Sequence, residues 1–209
     1  MQLQLNNVGK RFGADWIFRS VNMSIDEHEA YAILGPNGSG KSTLLKVFCG
    51  HLTPSKGDIS FIKDTKKIDI DVVYRNISYA APYIELIEEL TLKETIDFHQ
   101  KFTPFLKGID GKAIIDILAF DRAKDKLVRH FSSGMKQRLK LALAICSDTS
   151  LLLLDEPTTN LDKQGEAWYR DLLTTYGAHR TVIIATNVIE DYAFFCTKTL
   201  NILDYKQKR

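Results

Sequence analysis

The sequence predicts an α/β fold, a mostly parallel sheet covered on both faces and interrupted by an all-helical insert. Three observations carry this. Residues 30–34, 151–154 and 182–185 are short apolar runs without the polar alternation of a half-exposed strand, so each reads as a strand buried on both faces. Helical patterns at 41–50 and 165–175 alternate with those runs. From about residue 85 to 147 the strand pattern stops, and Ile114, Ile117 and Leu118, then Leu139, Leu143 and Cys146, recur at helical spacing.

A chain of 209 residues with 44% hydrophobic and 26% charged residues suits one compact unit with a modest insert. A formal net charge of +2 gives no bulk electrostatic case for nucleic acid. No run approaches the roughly 18–20 apolar residues that span a bilayer. The start, MQLQLNNVGKRFG, lacks the basic-then-apolar order of a signal peptide. Cys49, Cys146 and Cys196 form no CxxC pair and are odd in number, so buried free thiols in a reducing cytoplasm are expected.

In chain order, weak alternation predicts strands at 2–5, 17–18 and 21–25, then the run at 30–34, which stops at Gly35. A helix follows from Lys41. Pro54-Ser55-Lys56-Gly57 is a turn before strands at 58–61 and 77–80. Thr91 and Glu94 have the spacing of a capping box, in which the threonine hydroxyl and the glutamate carboxylate satisfy free N–H groups reciprocally. The last strand is expected near 200–203, and Lys206, Lys208 and Arg209 read as a solvated end.

Gly35-Pro36-Asn37-Gly38-Ser39-Gly40-Lys41-Ser42-Thr43 fits GxxxxGK[ST] between a predicted strand and a predicted helix. Gly35, Gly38 and Gly40 permit backbone angles and close approach that a side chain blocks. The loop N–H groups and the positive helix end then favour an α- and β-phosphate. Lys41 adds a charge at the β- and γ-phosphates, and the Ser42 hydroxyl is placed for Mg²⁺. The loop thus implies a nucleoside triphosphate, ATP with Mg²⁺; the bland alternative is a glycine-rich turn with a chance lysine. The apolar strand at 151–154 ends in Asp155 and Glu156, which are costly to bury without a cation. Asp155 suits a Mg²⁺ role and Glu156 a base that polarises attacking water; a strand end reaching solvent is the alternative.

In the order of these motifs the chain resembles, over essentially its whole length, the ATP-binding subunits of ABC transporters. The resemblance implies a P-loop NTPase (RecA-like) core with an N-terminal antiparallel β subdomain, over 1–82 and 148–209, and a helical signature subdomain over 83–147. Phe12 corresponds to the family's adenine-stacking aromatic, with Trp16 a second candidate and a core aromatic the alternative. Phe131-Ser132-Ser133-Gly134-Met135 resembles the signature LSGGQ and opens a helix suited to a γ-phosphate. In the family that phosphate sits on the other subunit. This implies a head-to-tail dimer, with itself or with a different cassette, and places Asp162 at the dimer contact.

Four positions depart from the family pattern. Ser133 replaces a glycine and Met135 a glutamine. Pro82 stands where the family has a glutamine that touches Mg²⁺ and water, and proline has neither an amide side chain nor an N–H. Asn187 replaces the histidine that contacts the γ-phosphate. ATP binding with slow hydrolysis is therefore expected, with Lys41, Glu156 and Asn187 as the catalytic groups. The resemblance implies an ATPase at the cytoplasmic face of a membrane, driving a separate membrane-spanning subunit that docks near the acids Glu85, Glu88 and Glu89; a plain solvated face is the alternative there. The second functional reading is a soluble switch ATPase acting on the ribosome or DNA, which the absence of a basic stripe disfavours.

Overall fold

Every residue of β7 (Leu151–Asp155) and β8 (Thr181–Thr186) is buried, as their composition requires. In this computed structural model, which describes residues 1–206, they form the middle of a five-stranded sheet. With β3 (Ala30–Leu34), β6 (Ile77–Ala80) and β9 (Lys198–Asn201) the order is β6-β7-β8-β3-β9, and every pair is parallel. Side chains alternate across such a sheet. Leu152, Leu154, Val182 and Ile184 therefore join one buried cluster, and Leu151, Leu153, Ile183 and Ala185 the other. Fully burying each of these Leu or Ile side chains contributes about 1.5–3 kcal/mol.

The first cluster is closed by α2 (Leu92–Phe102), α3 (Gly111–Leu118), α4 (Ser133–Ile145) and α5 (Lys163–Tyr176). The second is closed by α1 (Lys41–Phe48) and by an antiparallel sheet. That sheet joins β1 (Gln2–Phe12), β2 (Asp15–Ile25), β4 (Lys56–Lys63) and β5 (Lys66–Ile68) in the order β2-β1-β4-β5. The N-terminal strands are longer than their alternation predicts. β1 runs 11 residues because irregular pairing between Leu5 and Val8 carries it past exposed Asn6 and Asn7.

Two further boundaries differ from expectation. Residues 85–90 do not begin a helix; they end in a turn, with Leu90 N–H donating to the Ile87 carbonyl at 3.3 Å, and the Glu88 and Leu90 carbonyls accept from the Arg129 and Val128 N–H groups. The last strand ends at Asn201 because its side chain accepts from Leu203 N–H at 3.0 Å and starts a short 3-10 turn. The capping box at Thr91 and Glu94 forms as expected. All three cysteines are free; Cys49 and Cys146 are buried, whereas Cys196 is only half-buried. Lys208 and Arg209 lie outside the described residues. Among the described residues no helix is long and apolar enough to cross a membrane.

The helical layer is fastened by Ser147. Its hydroxyl donates to the Leu143 carbonyl at 2.6 Å, so the His99 Nε2–H must be the donor in their 2.8 Å contact. The ring also stacks on Phe105 at 5.4 Å. Arg180 completes the joint by donating to the Ser147 carbonyl at 2.8 Å and to the Ile145 carbonyl, at the negative end of α4.

Burial depresses His99 from 6.5 to about 4. The unfolded chain therefore takes up this proton first as pH falls. The contribution is complete above pH 6.5 and is lost progressively towards pH 4. Urea unfolding at pH 7 and pH 4.5 should show a loss in which this residue accounts for roughly 1–3 kcal/mol. The variant His99→Gln should show a smaller loss across the same range.

Candidate nucleotide site

β3 ends at Leu34, and the chain leaves it through Gly35 at φ 153°. A Cβ there would stand 2.6 Å from Ile202 Cγ2 and 2.7 Å from Ser39 Oγ. Gly40, at φ 108°, leads into α1, and a Cβ there would meet Ile17 Cγ2 at 2.4 Å. Both positions are closed to any side chain. The start of α1 has no capping side chain and no acidic residue in its first turn. Its positive end is therefore left available to an anion.

Lys41 is buried, and its ammonium donates to the carbonyls of Gly35 at 2.9 Å and Pro36 at 3.3 Å. It also lies 3.6 Å from Glu156 Oε1. Among the described residues the buried Ser39 hydroxyl has no hydrogen-bond partner. The same is true of Asp155 Oδ1, on a residue only 1% exposed. A carboxylate oxygen is not left unpartnered in a protein interior without cost, so this atom is suited to a cation.

Asp155 Oδ2 is not free. Tyr83 Oη donates to it at 2.8 Å, and Tyr79 Oη, 3.4 Å from the same oxygen, donates to the Tyr83 hydroxyl oxygen. The Ser42 side chain is a further neighbour of the Tyr83 hydroxyl. Burial, foremost, raises both phenols above their ordinary range, which keeps them protonated as donors. Neither tyrosine was singled out by its motif. A buried aspartate at a strand end demands a donor, but the sequence does not say that β6 is the strand beside it.

Glu156 takes a left-handed backbone at φ 44°, unusual for a residue with a side chain, and its N–H donates to the Ala185 carbonyl at 2.8 Å. Asn187, just past β8, donates through Nδ2 to Asn37 Oδ1 at 3.4 Å and so touches the glycine-rich loop. Asp191 ties these loops together, accepting from Thr186 at 2.5 Å and Thr158 at 2.6 Å. Burial raises the Asp191 carboxyl despite these two donors.

Lys41, Ser42, Asp155, Glu156 and Asn187 thus gather at one edge. The other candidates sit elsewhere. Ser132 caps α4, accepting from Met135 N–H at 3.2 Å, with Ser133 and Gly134 in the exposed or half-exposed first turn. A Cβ on Gly134 would stand 3.0 Å from the Asn160 carbonyl, and Gln137 donates to the Pro157 carbonyl at 2.9 Å. This helix start is therefore packed on the loop after the acidic strand. Asp162 caps α5, accepting from Gly165 N–H at 2.8 Å. Phe12 is 50% exposed with Lys10 Nζ 5.4 Å from its ring, so the core alternative does not hold for it. Trp16 lies under Arg19, 4.2 Å from its ring, and against Gly9.

Among the described residues no group of three or more His, Cys, Asp or Glu side chains is arranged to hold a metal. Mg²⁺ on a nucleotide needs no such cage, since phosphates and water fill most of its octahedron. Ser42 and the unpartnered Asp155 Oδ1 fit that donor set.

The family model described as ABC transporter matches residues 18–159. The chain is 30% identical over 201 residues to the uncharacterized ABC transporter ATP-binding protein YxlF of Bacillus subtilis, covering 95% of this chain and 66% of that protein. It therefore spans slightly less than two-thirds of that relative's length. It is also 30% identical over 196 residues to the lantibiotic transport ATP-binding protein SrtF of Streptococcus pyogenes, covering 90% of this chain and 81% of that one. A solved dimeric bacterial ABC transporter cassette superposes with a TM-score of 0.78 at 25% identity, covering 96% of this chain and 94% of that chain. The chain belongs to the ABC transporter family.

Proposed function

We propose that this cassette binds ATP with Mg²⁺ on the loop from Gly35 to Thr43 and hydrolyses it slowly to drive a separate membrane-spanning subunit. The observation that carries the reading is the pairing of an uncapped helix start with a buried carboxylate oxygen that lacks a partner. Lys41 would exchange the carbonyls of Gly35 and Pro36 for the β- and γ-phosphates. Ser42 and Asp155 would hold Mg²⁺, which when bound offsets the charge that develops on the phosphates. Glu156, 3.6 Å from Lys41 in the nucleotide-free site, would accept a proton from the attacking water once a phosphate takes over the lysine. Asn187 would donate to the γ-phosphate without adding a charge. Phe12, exposed at the end of β1, would stack on adenine.

The reading extends to assembly. Ser132, Ser133, Gly134 and Met135 would meet the nucleotide of a second cassette in a head-to-tail dimer, with Asp162 at the contact. The exposed turn at Ser132 and Ser133 and the dimeric solved cassette support this. Residues 83–147 would serve as the helical subdomain, between residues 1–82 and 148–209 of the nucleotide-binding core. The membrane subunit would dock at the cytoplasmic side on the cleft of about 590 Å³ lined by Pro82, Glu85, Glu88 and Glu89. Glu88 already pairs with Lys136, which leaves Glu85 and Glu89 for a basic partner segment. The names of the relatives support transport and offer nothing for the ribosome or DNA alternative.

ATP titration should give binding, while steady-state phosphate release from the isolated chain should stay below roughly 1 s⁻¹, under common enzyme rates. Turnover well above that overturns the slow-hydrolysis reading.

The variant Asn187→His should raise phosphate release by roughly 3- to 30-fold, since it improves a donor at the transferring phosphate. An unchanged rate would remove Asn187 from the reaction.

Glu156→Gln should lower release to about 1% or less of the starting rate, the scale of a lost general base. It should also let the ATP-loaded chain elute as a dimer in size-exclusion chromatography. A rate equal to that of the parent chain would assign the base elsewhere.

A further inference from the structure

Asp155 is held in a way that the nucleotide reading leaves unexplained. Among the described residues its Oδ1 is the oxygen without a partner, and Oδ2 is met only by the phenols of Tyr83 and Tyr79. The carboxylate torsion is soft, so whatever fixes Oδ2 also aims Oδ1. Tyr83 makes the shorter contact, at 2.8 Å. It stands on no regular element: β6 ends at Ala80, and the chain turns with Ile84 N–H donating to the Ala81 carbonyl at 3.2 Å.

Two lysines hold that turn in place. Lys46 of α1 lies 4.5 Å from the centre of the Tyr83 ring. Lys140, two turns into α4, reaches across and donates to the Pro82 carbonyl at 2.7 Å and the Ala81 carbonyl at 3.2 Å. These two carbonyls directly precede Tyr83. Lys140 has no other hydrogen-bond partner among the described residues, so the contact with this turn is its entire polar engagement. An unbroken path of contacts therefore leads from α4, through Lys140 and the turn at 81–83, to the Tyr83 hydroxyl and Asp155.

We propose that Tyr83 is a positioning residue that aims Asp155 at the metal, and that Lys140 is the pin that seats Tyr83, so that a two-link strap joins helix α4 to the metal-binding carboxylate. The proposal rests on the reading of Asp155 as a Mg²⁺ ligand. A side chain that served only to stabilise the fold would leave the metal affinity of the nucleotide complex untouched. A positioning residue changes it without changing how the nucleotide itself binds. The two links act in series, so breaking both should cost no more than breaking the one nearer the carboxylate.

The experiment uses the full chain and the variants Tyr83→Phe, Lys140→Met and the two combined. ATP affinity is measured in EDTA, and Mn²⁺ affinity of the protein–ATP complex is then measured by electron paramagnetic resonance. In EDTA, all variants should match the parent chain within about 2-fold, which also shows that they are folded. Loss of one hydrogen bond to a charged group should weaken Mn²⁺ binding in Tyr83→Phe by about 10-fold. Lys140→Met should weaken it by roughly 3-fold, as an indirect link, and the combined variant should match Tyr83→Phe. Unchanged Mn²⁺ affinity in Tyr83→Phe overturns the positioning role. Losses that multiply in the combined variant overturn the strap. ATP binding by the parent chain with no Mn²⁺ uptake would instead overturn the Mg²⁺ reading of Asp155, a separate failure.

Discussion

The parallel register of the central sheet is the constraint on which the rest of the molecule depends. Leu34 pairs with Thr186, Asp155 with Ala185 and Ala80 with Leu154. Because all these strands run the same way, their carboxyl ends share one edge. Of the five exits from that edge, four carry the candidate site residues: the glycine-rich loop after β3, Tyr83 after β6, Glu156 after β7 and Asn187 after β8. Ligand sites at the carboxyl ends of parallel strands are a general result of this geometry. Two faces of apolar side chains hold the register, since a one-residue slip would exchange the two buried clusters.

Electrostatics at this edge is arranged around an anion. Lys41 is buried and turns to main-chain carbonyls and Glu156, while the Ser39 hydroxyl and one Asp155 oxygen have no partner. Under the proposed function each of these groups would gain a partner in a metal–triphosphate complex. The departures from the family pattern lie on other loops of this edge, Pro82 after β6 and Asn187 after β8.

Much of this was legible in the sequence, for identifiable reasons. The strands at 30–34, 151–154 and 182–185 announce themselves because a strand buried on two faces has no polar alternation to obscure it. The capping box at Thr91 is local chemistry, and the glycine-rich loop is dictated by steric room at Gly35 and Gly40. Features that depend on distant partners were hidden. The length of β1 depends on irregular pairing with β2, and the non-helical path of residues 85–90 on carbonyl contacts with Val128 and Arg129. Tyr79 and Tyr83 became meaningful only once β6 was seen beside β7.

The backbone at Glu156 has one more consequence. A left-handed conformation costs a residue with a side chain roughly 1 kcal/mol or more, and glycine would escape that cost. Judged by folding alone, this position is miscast. Randomising it and selecting only for thermal endurance would drive it towards glycine and away from any carboxylate. The acid here is thus a standing mechanical load on the scaffold, and a more durable version of this protein obtained by relieving it would be one that had lost the proposed base.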